Sequence, residues 1–161
     1  MEKRKRLLLV IAAILVITFF ASCGNEADNT AVNVDIQSFY DKMSSELDIT
    51  ELHTLSEKKI NSTYGIDASA CPQIIIARSN NALVTDEIWL IEAANAEDAE
   101  AYAEKAKTCI EQKCQENENY LPDQYAVAKN GKVVSAGNYV AMFVSPDADA
   151  MESMFKAACG K

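Results

Sequence analysis

The chain of 161 residues contains 15 lysine and arginine residues against 24 aspartate and glutamate residues, a formal net charge of −9 with its one histidine neutral. Four of the bases and one acid lie in residues 1–22, so residues 23–161 hold 11 bases and 23 acids, a net charge of −12. A surface this acidic repels nucleic acid and anionic lipid headgroups. The composition therefore predicts no nucleic-acid partner.

The first 22 residues have the layout of a secretory signal. A basic start, Lys3-Arg4-Lys5-Arg6, precedes an apolar run over residues 7–20 that only Thr18 interrupts, and two small residues then precede Cys23. This order is typical of a cleaved signal peptide. The run is also shorter than the roughly 20 apolar residues that a membrane-spanning helix needs. We therefore predict a signal peptide over residues 1–22, with an uncleaved signal anchor as the alternative.

Cys23 is the predicted lipidation site. The sequence Phe20-Ala21-Ser22-Cys23 resembles the lipobox of bacterial lipoproteins, with Phe20 at a position where leucine is usual. The resemblance implies that a diacylglycerol is attached to the Cys23 sulfur and that cleavage before Cys23 makes it the new N-terminus. Two or more acyl chains hold a protein stably, because each buried CH₂ contributes about 0.8 kcal/mol. We therefore expect a protein anchored by lipid to the extracytoplasmic face of the cell membrane.

The residues after Cys23 divide into a tether and one domain. Residues 24–34 are mostly small and polar, which predicts a flexible segment with a span of roughly 18 Å. The lipidated cysteine and the tether thus cover residues 23–34. Residues 35–161 are enough for a single hydrophobic core and too few for two.

Two helices and two strands are expected in the first half of the domain. Asp35 is a predicted N-cap for a helix over residues 36–47, where apolar residues recur at helical spacing. The sequence Thr54-Leu55-Ser56-Glu57 predicts a capping box and a short second helix, which Gly65 ends. Two β-branched runs, 73–77 and 87–93, are separated by a polar turn and predict an antiparallel hairpin with both faces at least partly covered.

The second half of the domain is predicted to hold three helices and one or two strands. Asn95 caps the longest helix, which has an alanine-rich apolar stripe, and Pro122 begins a short helix that ends at Gly131. Strand-like residues follow on both sides of Gly137-Asn138, which is either a hairpin turn or a bulge in one long strand. Pro146 opens a last helix, with Met151, Met154, Phe155 and Ala158 on its apolar face.

The predicted order is therefore α-α-β-β-α-α-β(β)-α. This order predicts an α+β domain with a small antiparallel-rich sheet of three to four strands packed by four to five helices. A crossover through the longest helix would make the second and third strands parallel, one on each side of the first strand.

Four cysteines, Cys71, Cys109, Cys114 and Cys159, lie in the domain. An even number outside the cytoplasm permits disulfides. Cys109 and Cys114 cannot bridge each other on one continuous helix, because five residues rise about 7.5 Å and turn the side chains roughly 140° apart. We therefore expect free thiols, with a disulfide between other pairs as the main alternative and a metal site as a remote one.

Three patterns invite a catalytic interpretation, and each has a simpler one. Ser56-Glu57-Lys58-Lys59 and Ser153-Met154-Phe155-Lys156 match the S-x-x-K motif of penicillin-interacting serine enzymes, but the companion motifs S-D-N and K-T-G are missing from the sequence. His53 is the one histidine and is expected on the surface or at a cap. Asp86-Glu87 offers paired acids for proton transfer, yet solvated charges at the start of a strand explain the pair. We expect no enzyme activity, no metal site and no cofactor.

A dense group of aromatic and turn residues runs from Tyr120-Leu121-Pro122-Asp123-Gln124-Tyr125 to Gly137-Asn138-Tyr139-Val140. With Tyr64-Gly65-Ile66-Asp67 and Asp86-Glu87-Ile88, it resembles a family of small lipoproteins of Gram-positive anaerobes that carry a domain of unknown function. The resemblance covers residues 35–158. It implies a folded domain at the cell surface and no particular activity, and the four cysteines depart from the family pattern.

The function predicted from these features is binding. Small size, a lipid anchor and the lack of site chemistry favour a non-catalytic domain that binds a protein or peptide at the cell surface. Tyr120, Tyr125 and Tyr139 are its possible interaction surface, although a large apolar body with a polar tip also suits the boundary of a core. The alternative is a small-ligand-binding lipoprotein that feeds a transporter or sensor, which a pocket with convergent polar groups would favour.

Overall fold

The computed structural model describes residues 33–160. The predictions for residues 1–22, for Cys23 and for most of the tether fall outside these residues. No helix in the described part of the chain is long and apolar enough to cross a membrane.

Residues 33–160 form five α-helices and five β-strands, together with a short 3₁₀ helix at Ala68–Ala70. The helices are α1 (Ile36–Glu46), α2 (Glu57–Tyr64), α3 (Ala96–Asn117), α4 (Pro122–Lys129) and α5 (Ala148–Ala158). The strands are β1 (Leu52–Thr54), β2 (Gln73–Ser79), β3 (Glu87–Glu92), β4 (Lys132–Ala136) and β5 (Tyr139–Val144). The α+β class is confirmed.

The local signals for helix ends and for the first hairpin are largely confirmed. The Asp35 side chain accepts a hydrogen bond from the Ser38 backbone N–H, and the Asn95 side chain accepts one from Asp98. Gly65 ends α2 with φ +60°, in the left-handed region that favours glycine. β2 and β3 pair antiparallel as predicted. Each of these signals depends on residues a few positions apart.

The sheet has five strands rather than the three to four predicted. The unpredicted strand is β1, and it replaces part of the predicted capping box: Thr54 pairs with Ala77 of β2, and Ser56 is the residue that caps α2. A three-residue strand is too short to show a periodic pattern in the sequence. It forms because the edge of β2 offers backbone partners.

The predicted strand arrangement is wrong. The observed order is β1-β2-β3-β5-β4, with every neighbouring pair antiparallel, so β3 lies between β2 and β5. Gly137-Asn138 is a hairpin turn, because Ala136 pairs with Tyr139 and Gly137 has φ +58° while Asn138 does not have a positive φ, as in a type II′ turn. The hairpin separates β4 from β5 and brings β5 beside β3. β4 runs parallel to β3, but two positions away.

Helices cover both faces of the sheet. The first layer, α1 and α5, packs on side chains that include Phe143 of β5, and the Phe155 ring of α5 lies 5.6 Å from Phe39 and 6.1 Å from Phe143. The second layer, α2, α3 and α4, packs on Trp89 and Met142. Both predicted hairpin strands are thus covered on both faces. Each fully buried large apolar side chain contributes about 1.5–3 kcal/mol.

Two details of the helices bear on the cysteines. On α5, Ala158 is exposed and Cys159 is buried, so the predicted apolar face is displaced by one residue at its end. α3 continues unbroken through Cys109 and Cys114. Cys71, Cys109 and Cys114 are free thiols.

Candidate interaction surface

The chain enters the domain at one end of the sheet, which we call the entry end. There the Ile36 backbone N–H donates to the Gln73 side chain (2.8 Å), whose Nε2 donates to the Val34 carbonyl (3.0 Å) and to the Glu92 carboxylate (2.6 Å). The Val34 N–H donates to the Tyr139 hydroxyl (3.2 Å). These bonds join the incoming backbone to the first residues of β2 and β5 and the last residue of β3.

The opposite end of the sheet, the far end, is where β2 ends, β3 begins and β5 ends. Five connections lie there: 47–51 between α1 and β1, 80–86 between β2 and β3, 118–121 between α3 and α4, 130–131 between α4 and β4, and 145–147 between β5 and α5. The C-terminal part of α3 reaches this end, because the Lys113 Nζ donates to the Thr85 carbonyl (3.0 Å) and lies 2.9 Å from the Glu87 carboxylate.

The far end presents two exposed apolar side chains. Among residues 33–160, Leu83 (64% exposed) and Tyr120 (85% exposed) are the only large hydrophobic residues in the exposed class. A single exposed apolar residue needs no explanation. Here both of them lie in connections at the same end of the sheet, and tyrosine is enriched among the residues that dominate binding energy at interfaces.

Hydrogen-bonded turns fix the backbone at both residues. The Leu83 N–H donates to the Asn81 side-chain oxygen and the Val84 N–H to the Asn81 carbonyl, each at 3.0 Å. The Tyr120 N–H donates to the Asn117 carbonyl at 3.1 Å. Ordered loops lose less conformational entropy on binding, which increases the affinity available from a small surface.

A buried ion pair lies beneath the far end. Glu87 is 1% exposed, and its carboxylate accepts hydrogen bonds from the Trp89 indole and the Cys109 thiol besides its ion pair with Lys113. Removing a carboxylate from water costs several kcal/mol, which a close cation and further hydrogen bonds offset. The interpretation of Asp86-Glu87 as two solvated charges is therefore wrong for Glu87. Asp86 is half-buried, and this burial raises the pKa of its carboxyl group. The charge of Lys113 lowers that pKa by a smaller amount, and the charge of Asp147 raises it.

The same cluster connects the loops of the far end to one another. The Thr85 N–H donates to the Gln124 side chain of α4 at 2.8 Å, while the Thr85 carbonyl accepts from Lys113 of α3. One buried residue thus joins the 80–86 connection to two helices. The Thr85 hydroxyl is buried and has no hydrogen-bond partner among the described residues.

The Cys109 thiol and the Tyr64 hydroxyl, which lie near Glu87, are protonated at neutral pH. Burial, and less strongly the charge of Glu87, raises the pKa of the Cys109 thiol to about 12, so at neutral pH it is not the reactive thiolate. Burial and then Glu87 also raise the pKa of Tyr64, whose ring packs edge-on against Trp89 at 4.7 Å. Its hydroxyl is buried and finds no hydrogen-bond partner within residues 33–160.

Two of the clefts on the helical layers could hold a small ligand. The α2–α3 cleft has a volume of about 330 Å³ and a mixed lining of Thr63, Tyr64, Trp89, Glu104, Lys105, Thr108, Cys109 and Gln112. The α1–α5 groove has a volume of about 470 Å³ and is lined by Phe39, Lys42, Ser153, Met154, Ala157 and Ala158. The first combines polar side chains with an aromatic floor, and the second is mainly apolar.

The three tyrosines predicted as an interaction surface lie in different places. Tyr120 lies at the far end. Tyr125 is half-buried on α4, with the Lys129 ammonium 5.5 Å from its ring centre. Tyr139 is 3% exposed in the first-layer core at the entry end, so it is not available to a partner. Leu83, which the sequence analysis did not consider, shares the far end with Tyr120; its Asn-rich turn was the only signal for it.

The other sequence candidates have structural roles or lie apart. The Ser56 side chain caps α2, and the Ser153 hydroxyl donates to the Asp149 carbonyl within α5. Lys156 forms an ion pair with Glu152. His53 is exposed on β1. In the described part of the chain, no three His, Cys, Asp or Glu residues are grouped as a metal would need. Cys23 falls outside that part.

Residues 33–160 thus define an α+β protein in which a five-stranded antiparallel sheet lies between two helical layers. The chain belongs to the family described as Domain of unknown function (DUF4358), whose model matches residues 45–145. The matched region contains the whole sheet, α2, α3 and α4. No curated protein and no solved structure matches the chain.

Proposed function

We propose that this chain is a lipid-anchored extracytoplasmic protein whose domain binds a protein partner and catalyses no reaction. One observation carries the proposal: the chain enters at one end of the sheet, and the exposed Leu83 and Tyr120 lie at the other. With lipid on Cys23, the tether leads into the entry end, and the far end is the part of the sheet most distant from that point of entry. β2 alone separates the two ends by about 20 Å, at roughly 3.3 Å per residue.

The state of the reactive groups supports binding over catalysis. Glu87 is neutralised by Lys113, and the Cys109 thiol stays protonated. A general base must reach a substrate, and a nucleophilic cysteine needs a lowered pKa. Neither requirement is met by these two side chains, whereas rigid loops with apolar anchors suit a protein interface.

Lipid anchoring is tested by labelling cells with a radioactive fatty acid. We expect the wild-type chain to take up the label and Cys23→Ala to take up none and to keep its signal segment. Cys71→Ala, which removes a cysteine from the domain, is the matched control and should label normally. Label on the Cys23→Ala protein at the wild-type size would contradict the proposal.

The binding surface is tested by photo-crosslinking on intact cells. A photoreactive amino acid replaces Ala82 or Asn119, the exposed neighbours of Leu83 and Tyr120, and in the control it replaces Gln37 at the entry end. We expect discrete protein adducts from positions 82 and 119 and none of the same size from position 37. Equal adducts from all three positions, or none from any, would refute a binding surface at the far end.

The α2–α3 cleft supports small-ligand binding as a second candidate, because polar side chains converge there over Tyr64 and Trp89. Trp89 is the only tryptophan in the chain, so its fluorescence reports on this cleft alone. Single amino acids, dipeptides and monosaccharides are titrated in turn. A saturable emission change that Thr108→Phe blocks by filling the cleft would favour this candidate; flat titrations with every probe would count against it.

A further inference from the structure

The loops that form the far end carry charge of one sign. The connections 80–86, 118–121 and 145–147 contain Asp86, Glu118 and Asp147 and no lysine or arginine. These three acids and the two apolar side chains lie in the same set of loops.

Two basic side chains near this end form ion pairs, and a third, Arg78 of β2, is half-buried opposite Glu87 in the sheet. Lys113 forms an ion pair with Glu87 and its side chain is only 17% exposed. Lys132, the first residue of β4, forms an ion pair with Asp149 at 2.8 Å. The charged residues of the loops at this end are therefore all acidic.

We propose that the partner at the far end is a protein with a basic surface around an apolar pocket. This inference rests on the proposed function and names the chemistry of the partner. The pocket receives Tyr120 or Leu83, and lysine or arginine side chains of the partner face Asp86, Glu118 and Asp147. Opposite charges steer the encounter, and the apolar anchors slow dissociation.

A lipid surface is the less suitable occupant of this end. Acidic loops are repelled by anionic headgroups, and the chain enters the domain at the opposite end of the sheet. Lipid adducts are therefore an adverse outcome in the test below.

The test uses the full-length anchored chain on intact cells, with the photoreactive residue at position 119. The charge variant is Asp86→Asn, Glu118→Gln and Asp147→Asn together. The matched control removes three exposed charges from α3, as Glu97→Gln, Glu100→Gln and Glu111→Gln. Both have the same net charge, so a difference between them reports position. Thermal melts confirm that each variant folds.

We expect the adduct yield of the charge variant to fall about tenfold, while the control keeps the parent yield. Raising NaCl from about 50 to 500 mM, which shortens the screening length, should lower the parent yield and leave the charge variant little changed. Tyr120→Ala should lower the yield about 30-fold, as for a residue that dominates an interface. The adduct should contain a lysine- or arginine-rich peptide.

Two results would overturn the inference, and they separate it from the proposed function. A protein adduct indifferent to salt and to the charge variant would refute the basic partner while the far end remained a binding surface. No adduct at all, or adducts with lipid alone, would refute both.

Discussion

The two layers that cover the sheet stabilise it in different ways. The first layer packs Phe39 and Phe155 against Phe143 in edge-to-face contacts, which favour one arrangement of the rings. The second layer combines an alanine-rich helix with the buried ion pair of Glu87 and Lys113. The first supplies apolar burial. The second holds polar groups that position the loops of the far end, so a buried charge here serves geometry more than stability.

The largest expected effect comes from breaking the first layer. Phe155→Ala removes a fully buried ring with two aromatic neighbours, and such truncations cost about 3–5 kcal/mol. At about 3–6 °C per kcal/mol for a domain of this size, the melting temperature should fall by about 10–25 °C. Met154→Ala, on the same helix but half-buried, is the control and should fall much less. Equal losses would show that the rings add nothing beyond ordinary packing.

The second prediction breaks the ion pair of the second layer. Lys113→Met leaves the Glu87 carboxylate buried without its cation, which we expect to cost about 2–4 kcal/mol in urea unfolding. Adding Glu87→Gln should recover part of that loss, because a neutral amide needs no cation. A double variant less stable than Lys113→Met would show that Glu87 acts independently of Lys113.

A smaller pair of effects compares one glutamine from each end of the sheet. Gln73→Ala leaves the Ile36 N–H without its acceptor, and Gln124→Ala does the same to the Thr85 N–H. Each loss should cost about 1–3 kcal/mol. Amide hydrogen exchange should quicken at Ile36 in the first variant and at Thr85 in the second. Faster exchange at both sites in either variant would mean that the two ends open together.

The smallest expected effect is chemical. Because burial raises the pKa of Cys109 to about 12, its thiolate fraction at pH 8 is on the order of a thousandfold below that of an ordinary cysteine. Iodoacetamide should modify Cys109 in the native protein far more slowly than in urea. Because the pKa of Cys109 is higher in the folded than in the unfolded chain, the protonated thiol stabilises the folded state below about pH 9. This contribution is lost as the pH rises toward 12. Rapid native labelling of Cys109 would refute its burial beside Glu87.

Much of the local structure was determined by the sequence itself. Asp35 and Asn95 cap helices through bonds to residues three positions away, and Gly65 ends a helix through its own backbone conformation. The hairpin of β2 and β3 joins neighbouring runs across a short turn. These features depend on residues close in sequence, so a pattern of a few residues predicts them. The lipid anchor at Cys23 rests on the same kind of local pattern and stays a prediction.

Only the tertiary structure decided the strand order and the surface. β1 forms because β2 offers it an edge, and β5 lies beside β3 because the Gly137 turn returns the chain. Lys113 bonds Thr85 across 28 residues of sequence and thereby buries Glu87 and brings the loop of Leu83 to the end that carries Tyr120. Such contacts depend on which elements meet in space. That choice is made by the burial of both faces of the whole sheet, and no local pattern encodes it.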